Sequence, residues 1–182
     1  MNPVEVLFVS LGVVIMLIAL ARGYRLELGS MVIIMVAIFV LSFFDTEINN
    51  LFTPIGNALI GRSSNSEALN LFLMLVFQLV FVIIVFMGYA GRTLAFGGTE
   101  LPPPQGTLLT LTIGALDGYL IAGTLWYYLD IFGYPVQSIG LICLPLTTVG
   151  QQLVTILPQR LFESPTYWMI PVAALLILRV RG

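Results

Sequence analysis

The chain has 182 residues, 59% of them hydrophobic and 9% charged, with a formal net charge of −2. Soluble domains carry roughly 25% charged residues, so this composition excludes a soluble globular surface and implies an integral membrane protein, read as a single membrane domain over 1–182. The seven basic residues are scattered arginines, which argues against a nucleic-acid partner; with no His and one Cys, Cys143, an intramolecular disulfide, a Ser–His–Asp triad and most metal or haem chemistry are excluded, and no cofactor is expected.

The first apolar run, 4–21, ends in Ala19–Ala21, which imitates a signal-peptidase site. Its flanks are reversed for a signal peptide: Glu5 precedes it and Arg22 follows it, so a retained helix is expected. The turn RGYRLELG, Arg22 to Gly29, leads into a second run, 28–44, and the two form an antiparallel hairpin. Arg22, Gly23, Arg25 and Glu27 in that turn are either determinants of topology or a functional cytoplasmic turn.

Between spans, Ile48, Leu51, Phe52, Ile55 and Leu59 follow helical spacing. They predict an amphipathic helix lying in the headgroup plane, although Pro54 and Gly56 count against it. GRSSNSE, Gly61 to Glu67, then reads as a polar turn with Ser66 as a cap for the third span.

The third span, 69–90, and the fourth, 107–129, flank Arg92 and the stretch ELPPPQG. The triple proline is read as a stiff helix-stopping loop, with a polyproline ligand as the alternative. Arginines at 22, 25 and 92 place both inner loops in the cytoplasm and the N-terminus outside, with Arg62 as the one conflict.

The fourth span holds Asp117, about 15 Å along its axis. An Asp–Asp membrane protease would need a second facing carboxylate, and Asp117 is the only candidate in the middle of a span. An ionised carboxylate there costs several kcal/mol in lipid. Three readings are open: a neutral, hydrogen-bonded Asp117; a wet cavity; or a span shifted so that Asp117 nears the inner headgroups. Gln78, about 18 Å from the inner end of the third span, is the expected partner. Gly114 and Gly118, continued by Ala122 and Gly123, form a small-residue face that lets a helix come close. These features suit bundle packing, proton handling or transport, or contact with another subunit.

Beyond Asp130, a second interfacial helix is expected over Pro145–Leu157, with Pro145 in its first turn and Pro158 ending it. The last run, 165–179, is expected to be a short fifth span kinked at Pro171, with an interfacial tail as the alternative.

The stretch LARGYRLELGSMVIIMVAIFVLSFF, Leu20 to Phe44, resembles the opening of the colicin V production protein family, CvpA: an apolar helix, an Arg-Gly turn, an acidic residue and a second helix. GALDGYLIAGTLWYYLDIF, Gly114 to Phe132, is similar to that family's Gly-rich helix running into aromatics and an Asp. The family typically has Arg where this chain has Asp117, which makes the chain a divergent relative. The spans predict an all-α helical bundle; the resemblance implies a bacterial inner-membrane protein linked to colicin V production or export, with no established catalytic residues, and the chain is read as a non-enzymatic protein of toxin production, secretion or envelope homeostasis. Its partners would be the lipid bilayer and a homo-oligomer or membrane complex. The residues leave two alternatives: an oligomeric transporter or channel using Asp117 and Gln78, or an accessory subunit of a larger membrane complex.

Overall fold

A computed structural model describes residues 3–60, 66–90, 94–97, 101–139 and 144–181. Arg62, Arg92, Cys143 and most of the expected turn before the third span lie outside them. The protein is an all-α helical bundle. Four helices are long and apolar enough to cross a membrane: α1 (Pro3–Arg22), α2 (Tyr24–Phe43), α4 (Ser66–Ala90) and α5 (Gln105–Ile131). It is therefore a multi-pass membrane protein.

The hairpin between α1 and α2 is tighter than the sequence suggested. A single residue, Gly23, separates the helices, with φ 81° and ψ 152°. Only glycine adopts that backbone conformation without strain. The expected turn residues Glu27 and Gly29 are buried inside α2. The polar appearance of RGYRLELG has another cause, described below: its charges satisfy each other.

Helix α3 (Asp45–Ile60) runs through Pro54. A Cβ on Gly56 would sit 2.7 Å from Leu69 Cδ1 and 2.8 Å from Phe72 Cδ1, so the glycine lets α3 lie on α4. Leu51, Ile55 and Leu59 stay exposed on α3, as an interfacial stripe would be.

Lipid tails are as apolar as leucine, so packing rather than water exclusion holds such helices together. The main cluster draws Ile34, Ala37, Ile38 and Leu41 from α2, Phe77 and Phe81 from α4, and Ile113, Leu120 and Tyr128 from α5. The Phe77 and Tyr128 rings stack at 5.0 Å. Helix α5 is central and packs against α1, α2, α4 and the later helices.

The second interfacial helix is shorter than expected. Helix α6 (Thr148–Thr155) is capped by Thr147, whose hydroxyl accepts from Gly150 N, so Pro145 falls outside it. Pro158 does not end a helix; it opens α7 (Pro158–Leu161), where its missing N–H is not needed. Leu157 and Gln159 are buried against α5.

The expected fifth span begins as a 3-10 turn, Pro165–Trp168, and continues as α8 (Met169–Arg181). Its 13 residues give about 20 Å of helix, too short alone for a hydrocarbon core of roughly 30 Å. Pro171 lies in the first turn of α8, where it does not break a hydrogen bond. Trp168 packs with Ile34, Ile38 and Leu41, and Val172 with Val32 and Phe96, so the segment lies along α2.

Candidate functional site

Four helices meet where the α1–α2 hairpin turns. Arg22, the last residue of α1, donates from Nη1 to Glu27 Oε1 at 2.8 Å and to Ser30 Oγ at 3.0 Å. Tyr89, near the end of α4, donates its hydroxyl to Glu27 Oε2 at 3.1 Å. The Arg22 guanidinium also lies over the Tyr89 ring, 4.4 Å from its centre. Glu27 and Asp117 are both fully buried. Asp117, from α5, neighbours Glu27, with Arg22 close by. Among the described residues, neither Asp117 oxygen receives a hydrogen bond from a donor.

The expected Asp117–Gln78 pair is not formed. Gln78 Nε2 donates instead to the Leu125 carbonyl at 3.1 Å. The depth estimate assumed that the third and fourth spans end level with each other. Gln78 stands 12 residues before Ala90, while Leu125 stands 20 residues after Gln105. At 1.5 Å per residue, α5 therefore projects about 12 Å past the end of α4. The shift brings Asp117 to within about 6 Å of the level of Ala90, beside Tyr89. This register puts Asp117 near the end of α4 and not at the depth of Gln78.

The glycine face is used, and its neighbour is α1. A Cβ on Gly114 would lie 2.5 Å from Ala19 Cβ and 3.2 Å from Met16 Cα; one on Gly118 would lie 2.7 Å from the Gly12 carbonyl oxygen. Gly123 faces away from this contact, 2.5 Å from Pro158 Cδ by the same measure. Arg25 is not part of the carboxyl cluster. Its Nε donates to the Phe96 carbonyl at 2.7 Å and its own carbonyl accepts from Phe96 N at 3.2 Å, strapping residues 94–97 onto α2.

Next to the cluster, a cleft of about 520 Å³ opens between the hairpin and the start of α5. Arg22, Gly23, Tyr24, Arg25, Thr107 and Thr110 line it. Arg22 thus faces the cleft on one side and Glu27 on the other.

The opposite end of the bundle holds groups that the sequence reading did not connect. Arg160 Nη2 donates to Asp130 Oδ2 at 2.8 Å, Tyr134 donates to Asp130 Oδ1 at 3.1 Å, and Trp126 Nε1 donates to the Tyr134 hydroxyl at 3.0 Å. Burial pushes the Tyr134 hydroxyl up to about 12, and Asp130 adds to the shift. Asp45, at the start of α3, is also raised, first by burial. Glu5, fully buried near the start of α1, accepts a hydrogen bond from the Thr147 hydroxyl. The missed signals were Tyr89 and Tyr134, each a polar tip on an apolar body near a span end.

Comparison with protein-family models, with curated proteins and with solved structures finds no match to this chain.

Proposed function

We propose that the chain is a CvpA-like, non-enzymatic protein of the bacterial inner membrane, with its N-terminus outside and its α1–α2 turn in the cytoplasm. In this reading it serves colicin V-type toxin production or secretion, or envelope homeostasis, by assembling with other membrane helices. The family reading rests on the motifs around Arg22–Glu27 and Gly114–Phe132.

The assembly reading rests on one observation, an apolar groove of about 240 Å³ on the flank of the bundle between α1 and α5. Small residues Gly12, Ala115 and Gly118 line it, with Phe8, Met16 and Tyr119 as walls. Small residues on a lipid-facing surface let a further helix approach closely. The bundle's own centre supports the same reading, because Ile34, Ile38, Leu41, Phe77 and Phe81 are fully buried there. The transporter alternative loses half of its expected pair, since Gln78 is engaged by the Leu125 carbonyl.

Gly12 gives a direct test. A Cβ there meets nothing within 4 Å, so a larger side chain enters the groove without disturbing the bundle. Purified in mild detergent, the native chain is expected to run at the mass of a stoichiometric complex, with itself or a second membrane protein. Gly12→Leu is expected to run as a folded monomer. A native chain that is monomeric in mild detergent, or a complex indifferent to Gly12→Leu, defeats the assembly reading.

A further inference from the structure

We propose that Glu27 and Asp117 together bind a single proton, reached from the cleft at the hairpin end, so that this end of the bundle is a proton-binding site. It stands independently of the assembly reading above.

Four helices supply the groups that face the pair. Arg22 comes from α1, Glu27 and Ser30 from α2, Tyr89 from α4 and Asp117 from α5. The donors are spent unequally. Glu27 receives Arg22 on one oxygen and Tyr89 on the other, and it forms the ion pair with Arg22. Asp117 receives neither, although it is fully buried. A buried polar group without a partner costs roughly 1–3 kcal/mol, and more when charged. Two neighbouring carboxylates, both fully buried, do not both stay ionised.

A proton on Asp117 resolves the geometry. The Asp117 hydroxyl then donates to a remaining lone pair on Glu27, since each carboxylate oxygen accepts more than one hydrogen bond. The charges balance as well: ionised Glu27 faces Arg22, and protonated Asp117 adds nothing. Releasing the proton to water in the cleft breaks the Asp117 O–H bond and leaves two carboxylates beside one guanidinium, a net charge of −1 for the three groups. Arg22 lies on the route, because it both lines the cleft and touches Glu27. The plainer account is a structural Arg22–Glu27 ion pair. That account explains Glu27 but gives no reason for a second buried carboxyl against it.

The test is infrared titration of the full chain in lipid nanodiscs, in light and heavy water. The expected result is a protonated-carboxyl C=O band at neutral pH, equivalent to about one group per chain, sensitive to deuterium and lost in a single step as pH rises. Asp117→Asn is expected to remove the band and keep the fold, because Asn still donates to Glu27. Glu27→Gln is expected to shift the pH at which the band is lost. Asp45→Asn, a variant away from the pair, is expected to leave it unchanged. A native chain with no such band at neutral pH overturns the proposal, and so does a band that survives Asp117→Asn in a folded protein.

Discussion

The two ends of the bundle hold the same kinds of groups in opposite settings. At the hairpin end, an arginine, a tyrosine and two carboxyls are closed in: the Arg22 side chain is 17% exposed and Glu27 0%. At the far end, Arg160 is 49% exposed over Asp130 at 17%. The nitrogen–oxygen distance is 2.8 Å in both pairs. Distance therefore says little about what each is worth. Burial decides it, because a buried charge left without its partner has no water to turn to, whereas an exposed one is rehydrated and screened.

Removing each arginine is the strongest way to break this comparison. Arg22→Ala is expected to destabilise the bundle by about 3–5 kcal/mol, seen as a large drop in thermal midpoint in detergent. Arg160→Ala is expected to cost about 0–1 kcal/mol. Equal losses would mean that exposure does not separate the two pairs.

The glycines give a smaller contrast. Gly114→Ala pushes a Cβ against Met16 Cα and Ala19, part of a helix that cannot give way, and an overpacking cost of about 1–3 kcal/mol is expected. Gly123→Ala meets the Pro158 ring at 2.5 Å and Leu157 Cδ2 at 3.8 Å, on the four-residue helix α7 buried against α5. A single helical turn shifts more readily than the 20-residue α1, and the gain in helix propensity, up to about 1 kcal/mol, offsets part of the contact, so a smaller loss is expected. Thermal unfolding of the two variants side by side should separate them; a tolerated Gly114→Ala would mean that α1 and α5 are not fixed at that crossing.

The effect furthest from neutral conditions is a pH dependence at the far end. Tyr134 ionises at about 12 in the folded protein instead of at 10.0. The folded state then holds the proton more tightly than the unfolded one. The associated stability is fully present below 10.0 and lost as pH rises toward 12. Tyr134→Phe is expected to reduce the slope of the stability profile over that interval; an unchanged slope would assign it to other groups.

The spans were legible in the sequence because length and apolar content suffice to define them. Helix α3 was legible because Ile48, Leu51, Ile55 and Leu59 keep a helical period despite Pro54. Vertical register was not legible. Hydropathy says where a helix is apolar and leaves open how far it slides against a neighbour, so Gln78 was matched to Asp117 when it meets Leu125. The hairpin misled for a related reason. Arg22 and Glu27 looked like loop residues because each is charged, but together they form a buried ion pair, and a helix can begin one residue after the last one ended. The return of Leu157 to Gln159 into the bundle carried no periodic signal, since four-residue helices have none.

The bond between Thr147 and Glu5 joins residues 142 positions apart. The ribosome makes Glu5 in the first turn of α1 and Thr147 only after all four long helices. Helix α1 is thus completed by a segment made after α5. A chain stalled or cleaved before Thr147 carries all four long spans yet lacks the hydroxyl that seats Glu5.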